Sequence, residues 1–302
     1  MSPNVALIGL GNMGTPMSRR LVDAGSSVRG YDLVPEARER LRDGGGTPAD
    51  TAPEAAREAT AVILMLPNSD VVDAVADELL EAGAIGEGTL VVDMSSSEPA
   101  RTRVLAERLA DAGVAFADAP VSGGVRGAER GSLTIMLGAR DADRERAHAL
   151  LAPLGRVVDC GDVGAGHAIK ALNNLLSATH LWATSEAIEA GRRFGLDPEV
   201  MLSVFNGSSG KSGSTENKWP NFILPETFDS GFGLRLMLKD MRIATNLAAQ
   251  VGMPSRLGED AVDLWAEAAE GLASDADHTR VAEWIAARAS PDGGQGAQVR
   301  DE

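Results

Sequence analysis

One pattern dominates the chain, and the other elements fall on either side of it. From Gly164 to Phe194 there is no proline, and no glycine lies between Gly166 and Gly191. Apolar residues recur there at helical spacing, at Ile169, Leu172, Leu176, Leu181, Ala187 and Ile188. The spacing predicts one helix of about eight turns at 3.6 residues per turn. That is long for a globular helix, so the pattern predicts a helix joining two domains.

Before this stretch, short apolar runs alternate with helical patterns. A strand begins at Val5, and Ser27 to Tyr31 makes a second. Ala61 to Leu66 and Thr89 to Met94 are continuous apolar runs, as strands buried on both faces should be. Pro67-Asn68 stops the first run, and a helix is predicted from Ser69 to about Leu80. Ser95-Ser96-Ser97-Glu98-Pro99 caps the helix after the second run. Another strand ends at Asp118, a long loop holds Ser122-Gly123-Gly124, and a strand restarts at Leu133. From Leu196 the strand pattern stops. Helices are predicted from Pro198 to about Phe205, across Lys239-Asp240 to about Val251, from Pro254 across Trp265, and from Ala282 to Arg288. A polar, glycine-rich loop runs from Asn206 to Ser214. The expected organisation is an α/β domain over 1–163, an interdomain helix over 164–194 and an all-α domain over 195–290. Residues 291–302 are polar and glycine-rich, the composition of a disordered tail.

At 302 residues the chain suits two domains, and 44% apolar content is that of a globular protein. No run approaches the roughly 20 apolar residues of a membrane span. No basic stretch, apolar segment and cleavage site open the chain, so no signal peptide is expected. Cys160 is the single cysteine, which allows no internal disulfide and fits a reducing cytoplasm. The four histidines show no metal-ligand spacing, so no metal is expected. A formal net charge of −16 argues against nucleic acid and anionic membrane as partners.

Asn4 to Gly14 places Gly9-x-Gly11-x-x-Gly14 between an apolar run and a helical pattern that includes Met17, Leu21 and Val22. The first glycine makes the turn, the second admits a pyrophosphate, and the third lets helix and strand pack closely. The pyrophosphate would sit on the free N–H groups at the helix start, near Asn12 and Met13. Asp32 ends the second strand about 20 residues on, as this dinucleotide fingerprint requires. A carboxylate there hydrogen-bonds the ribose hydroxyls of NAD and repels the 2′-phosphate of NADP. The residues favour NAD; NADP is the disfavoured alternative. In open α/β sheets ligands bind beyond the carboxyl ends of the strands. Leu66-Pro67-Asn68 and Ser95-Ser96 lie at such ends, as cofactor contacts, as helix caps, or as both. Ser122-Gly123-Gly124 offers a hydroxyl beside glycine N–H groups, which suits a carboxylate, or else is a surface loop.

Only four lysines occur, Lys170, Lys211, Lys218 and Lys239. Lys170 and Asn174 are four apart on the long helix and share a face, with Asn173 beside them. A catalytic amine and a lysine snorkelling off a helix end are both open on the residues alone. Lys211 and Lys218 sit in the polar segment from Asn206 to Lys218, the expected specificity element, which leads to Trp219 and Phe222. Surface charge and a substrate contact are both open for them.

Four segments together resemble the β-hydroxyacid dehydrogenases: G-L-G-N-M-G-T-P-M, D-A-P-V-S-G-G-V-R-G-A-E-R-G-S-L-T-I-M-L-G, G-H-A-I-K-A-L-N-N and L-M-L-K-D-M. The likeness runs from Val5 to about Ile285. That family includes 3-hydroxyisobutyrate dehydrogenase, tartronate semialdehyde reductase, sulfolactaldehyde reductase and, more remotely, 6-phosphogluconate dehydrogenase. The resemblance implies a Rossmann domain, an all-α second domain and a long helix between them. It implies that Lys170 is the catalytic lysine, that Ser122, Gly123 and Gly124 hold the substrate carboxylate, and that Asn174 orients the substrate. Lys239 and Asp240 would close the site on substrate and cofactor, and Ser96 stands where the family has a cofactor-touching threonine. The implied reaction interconverts a small 3-hydroxy acid and its semialdehyde with NAD, in a homodimer or homotetramer. Tartronate semialdehyde, sulfolactaldehyde or a sugar acid are alternative substrates. An imine reductase of the same fold usually lacks the lysine. A non-catalytic NAD-binding protein is the remaining alternative.

Overall fold

The computed structural model describes residues 3–253 and 255–288, and the expected tail at 291–302 and Pro254 lie outside them. The chain divides into two compact units, Met1–Ala171 and Leu172–Glu302. The first unit alternates strands and helices: β1 (Asn4–Ile8), α1 (Gly14–Asp23), β2 (Ser27–Tyr31), α2 (Pro35–Asp43), β3 (Thr47–Pro48), α3 (Ala52–Ala56), β4 (Ala61–Leu64), α4 (Ser69–Glu81), β5 (Leu90–Asp93), α5 (Pro99–Asp111), β6 (Ala115–Asp118), β7 (Val121–Ser122), α6 (Gly124–Arg130), β8 (Leu133–Ala139), α7 (Asp141–Leu151) and β9 (Gly155–Gly161). Helix α8 (Ala165–Phe194) then crosses from one unit into the other.

The strands form one sheet in the order β3-β2-β1-β4-β5-β6-β8-β7, with β9 beside β8. From β3 to β6 all pairs are parallel. The order reverses between β1 and β4, the switch point where a doubly wound sheet opens its ligand crevice. Parallel strands are buried on both faces, which is why β4 and β5 are apolar throughout. Leu7 and Ile63 pack on one face of the sheet, Ile8 and Leu64 on the other. This is the Rossmann arrangement expected from the sequence.

The segment after Asp118 departs from the expected loop. Val121–Ser122 pairs antiparallel with β8, and Gly124–Arg130 is helical. β8 itself runs antiparallel to β6 and parallel to β9. A two-residue strand and a seven-residue helix are too short to leave a periodic signal. β3 and β9 were likewise not legible in the pattern.

The second unit is helical: α9 (Pro198–Asn206), a π-helical stretch over Ser214–Ile223, α10 (Leu234–Gln250), α11 (Arg256–Gly271) and α12 (Val281–Arg288). Its core joins Leu181, Ile188, Trp219, Met241 and Trp265. Trp182 lies between Trp265 and Trp284, with ring centroids 6.3 and 5.6 Å away. The stripe along α8 is not buried evenly. Leu181 and Ile188 are core residues, but Ile169, Leu172 and Leu176 are 41%, 43% and 59% exposed.

Asp277 ties two segments of this unit together. One oxygen accepts from the N–H and hydroxyl of Thr279; the other accepts from the N–H groups of Gly231 and Phe232. Burial alone would raise its pKa, but the hydrogen bonds from His278 and Thr279 outweigh it and hold the carboxyl well below the usual carboxylate range. A depressed folded-state pKa means stability present above about pH 4, the unfolded value, and lost as pH falls below it. Asp277→Asn is therefore expected to cost about 2–3 kcal/mol at neutral pH, the worth of hydrogen bonds to a charged group. It should also flatten the acid limb of the stability curve below about pH 4. Urea unfolding of both proteins from pH 7 to pH 3 checks this; parallel curves would refute the assignment.

Candidate functional site

The glycine turn connects β1 to α1. Gly9 has φ +98°, and a Cβ there would lie 2.2 Å from the Met65 carbonyl oxygen. A Cβ on Gly14 would lie 2.0 Å from the carbonyl oxygen of Gly9, so only glycine lets α1 start this close to β1. At Gly11 a Cβ would meet no protein atom within 4 Å. Helix α1 has no side-chain cap, unlike α4, whose N-cap Asn68 accepts from Val71 N–H. Free N–H groups and an open glycine are what a dinucleotide pyrophosphate needs, and the residues fit that group.

Asp32 stands at the end of β2. Its carboxylate accepts from Leu10 N–H at 2.7 Å and from Val34 N–H at 2.8 Å, which fixes it over the turn. The Arg38 guanidinium donates to the Asp32 carbonyl, not to its carboxylate. Arg29 pairs with Glu54 at 3.7 Å.

Beyond β4 and β5 the two loops are tied to each other. Leu66 N–H donates to Ser95 Oγ at 2.9 Å. Ser95 N–H donates to Asp93, and Ser97 Oγ donates to the other oxygen of the same carboxylate. Ser95 is thus committed to the fold at 2% exposure, while Ser96 beside it is half-buried. Of the expected dual roles, Asn68 takes the cap and Ser95 a structural bridge.

Ser122 closes the short pairing of β7 with Thr134 of β8. Gly123 and Gly124 follow with φ +128° and +60°, backbone that only glycine adopts readily.

Lys170 lies in the second turn of α8 and is 8% exposed, so it does not snorkel into bulk water. The start of that helix is held by a carboxylate from another element. Asp118, at the end of β6, accepts from Gly164 N–H at 2.6 Å and from His167 N–H at 2.8 Å. Burial raises the Asp118 pKa, opposed by the neighbouring His167 and by these two N–H donors. Two glycines make room for it: a Cβ on Gly138 would lie 2.4 Å from Asp118 Oδ1, and one on Gly166 would lie 2.9 Å from Oδ2. Asp118, Asp93, Thr102 and His167 form a buried polar cluster that the sequence reading missed. A strand-end aspartate and a histidine three residues before Lys170 were the available signals.

In the second unit, Asn174 stands one helical turn beyond Lys170 on α8. Its Nδ2 donates to Asp240 Oδ2 at 2.6 Å. Lys239 Nζ lies 3.1 Å from Asp240 Oδ1, an ion pair without the alignment of a hydrogen bond. The structure thus gathers three of the expected residues, with Asp240 only 1% exposed at the centre. The two loop lysines differ in their surroundings. Lys211 pairs with Glu216 at 2.8 Å on the surface. Burial lowers the pKa of Lys218, and the nearby Asp277 counters it.

Residues 4–163 match the family model for the NAD-binding domain of 6-phosphogluconate dehydrogenase. Residues 164–285 match the model for the NAD-binding region of NADP-dependent 3-hydroxyisobutyrate dehydrogenase. The mitochondrial 3-hydroxyisobutyrate dehydrogenase of Homo sapiens is 37% identical over 262 residues, 84% of this chain and 78% of that protein. The 2-(hydroxymethyl)glutarate dehydrogenase of Eubacterium barkeri is 35% identical over 257 residues, 84% and 85% of the two chains. Mycobacterium tuberculosis 3-hydroxyisobutyrate dehydrogenase, solved with L-serine, has a TM-score of 0.88 at 34% identity, covering 94% of this chain and 99% of that one. Fold and motifs together define a nicotinamide-dinucleotide oxidoreductase acting on CH–OH groups. The chain belongs to the β-hydroxyacid dehydrogenase family.

Proposed function

We propose that the protein is an NAD-dependent dehydrogenase that interconverts a small 3-hydroxy acid and its semialdehyde, with Lys170 as general acid/base. The observation that carries this reading is the buried amine of Lys170, on a helix start clamped by Asp118. The bound nicotinamide would supply the redox chemistry. Lys170 would take the hydroxyl proton of the alcohol, or return one to the carbonyl oxygen in the reverse direction. Asn174 and Lys239, both held by Asp240, would orient the polar end of the substrate. Ser122 and the N–H groups after Gly123 suit its carboxylate. Ser96 and Leu66-Pro67 would border the cofactor.

The resemblance to 3-hydroxyisobutyrate dehydrogenases over 84–94% of the chain supports a short, branched 3-hydroxy acid. A panel tests it: 3-hydroxyisobutyrate, L-serine, 2-(hydroxymethyl)glutarate, glycerate and 2,3-dihydroxypropane-1-sulfonate, each with NAD and NADP. The proposal expects the highest kcat/KM with 3-hydroxyisobutyrate; no turnover of any hydroxy acid would overturn it. A homo-oligomer is part of this reading, supported by the exposed Ile169, Leu172 and Leu176 on α8 and by Val200 and Val204 on α9. The lone Cys160 suits a cytoplasmic setting, and among the described residues no helix is long and apolar enough to cross a membrane.

The preference for NAD rests on Asp32. Two unit charges 5 Å apart at an effective dielectric of about 20 repel by about 3 kcal/mol. Asp32 is half-buried, so solvent reduces that figure. Asp32→Ser is expected to shift the NAD-to-NADP ratio of kcat/KM toward NADP by about 10- to 100-fold. Steady-state assays with both cofactors check it, and an unchanged ratio would assign the discrimination elsewhere.

A further inference from the structure

The buried histidine before the lysine carries more than packing. His167 is 1% exposed, and every polar atom it presents has a partner. Its N–H donates to Asp118 Oδ2 at 2.8 Å. Its Nε2 lies 3.1 Å from the Ser95 carbonyl oxygen, which can only accept, so Nε2 donates. Its Nδ1 lies 2.8 Å from Thr102 Oγ1 on α5. Asp93 and Asp118 flank the ring, with carboxylate oxygens 3.7 Å from Nε2 and 3.8 Å from Nδ1. These two aspartates are register partners on β5 and β6. Three elements therefore meet on one imidazole: the strand end that presents Ser96, the helix after it, and the first turn of α8.

Such a cluster is a poor way to gain stability. Well-packed apolar residues of similar volume usually serve a buried site as well or better. What directional bonds supply is a fixed relative position. Lys170 follows His167 by three residues, about 4.5 Å along a helix rising 1.5 Å per residue, on the same side. A misplacement of about 1 Å in a reacting group can cost on the order of a hundredfold in rate.

We propose that His167 is a positioning residue. It locks the first turn of α8 to the Ser95-Ser96 loop, and so sets Lys170 in register with the cofactor side of the site. The inference rests on the catalytic reading of Lys170. It predicts that His167→Leu, which keeps the volume and removes both ring nitrogens, lowers kcat about 10- to 100-fold, within the range for a displaced catalytic group. His167→Gln can donate from nearly the place of Nε2, and should recover most of that loss. Thr102→Val removes the Nδ1 partner, together with the hydroxyl's own bond to the Glu98 carbonyl one turn back, at unchanged volume, and should lower kcat by severalfold with the fold intact.

The test is a mutant cycle on the full-length protein, with kcat, cofactor KM and thermal midpoint measured for wild type, His167→Leu, Lys170→Met and the double variant. If His167 acts through Lys170, His167→Leu costs little more once Lys170 is gone. An equal cost in both backgrounds overturns the inference. So does a His167→Leu enzyme with a lowered midpoint and kcat within twofold of wild type. Near-normal turnover by Lys170→Met alone overturns the catalytic reading instead, and so separates the two failures. Should His167→Leu not fold, Thr102→Val and His167→Gln carry the test: wild-type kcat in Thr102→Val overturns the inference.

Discussion

Lys170→Met is expected to lose roughly a hundredfold to ten-thousandfold in kcat, the range that a positioned general acid/base supplies. That corresponds to about 2.7–5.5 kcal/mol of barrier. Methionine fills nearly the same space with no charge and no proton, so the change removes chemistry and leaves packing. Cofactor affinity should hold within a few fold, because the glycine turn and Asp32 lie at other strand ends. Lys170→Arg divides the remaining question. Arginine keeps a positive charge but does not give up its proton at neutral pH. If the lysine acts mainly by charge, arginine recovers part of the rate; if it carries the proton, arginine is as poor as methionine. Stopped-flow measurement of the first turnover, together with cofactor fluorescence titration, reads both effects. Wild-type turnover with a bound cofactor in Lys170→Met would remove the lysine from the mechanism.

The part of this site that was legible in the sequence is the part built from local constraints. Gly9, Gly11, Gly14 and Asp32 are readable because a strand, a tight turn, a helix and a second strand leave their marks within about 30 residues, the span of one βαβ unit. Lys170 stood out because lysine is scarce in this chain and the helix around it is apolar. The clamp around it was not legible. Asp118, His167 and Gly164 make one cluster only because β6 ends beside the start of α8, 46 residues later in the chain. Nothing in the composition of either segment announces that meeting. The segment after Ser122 failed for the opposite reason: its strand and helix are shorter than the windows that periodicity needs. On α8, periodicity identified the helix correctly but not what covers it. The exposed Ile169, Leu172 and Leu176 obey the same spacing as the buried Leu181 and Ile188. An apolar stripe is the same in sequence whether its own chain or another one packs on it. Trp219 went to the core, as a residue of its size usually does.

Gly14→Ala and Gly11→Ala should fail in different ways, and the contrast tests the dinucleotide site residue by residue. A Cβ on Gly14 would sit 2.0 Å from the Gly9 carbonyl oxygen and 2.9 Å from its carbon. Both are backbone atoms, so neither can swing aside, and α1 must move away from β1. Forced overpacking of this kind costs typically 1–3 kcal/mol, and a backbone clash belongs at the upper end. Moving α1 also moves the N–H groups on which a pyrophosphate would rest, so Gly14→Ala should lower the thermal midpoint and weaken cofactor binding together. At Gly11 the added methyl meets no protein atom within 4 Å. The fold has no reason to object, and the midpoint should stay within about 2 °C, since surface changes of this kind fall within roughly half a kcal/mol. Cofactor affinity should nevertheless fall by about tenfold or more, because the methyl occupies the side from which the pyrophosphate approaches. Calorimetry of the free proteins and titration with NAD separate the two effects. If Gly11→Ala binds NAD as the wild type does, the cofactor does not lie against this turn, and the open glycine is only a feature of the loop.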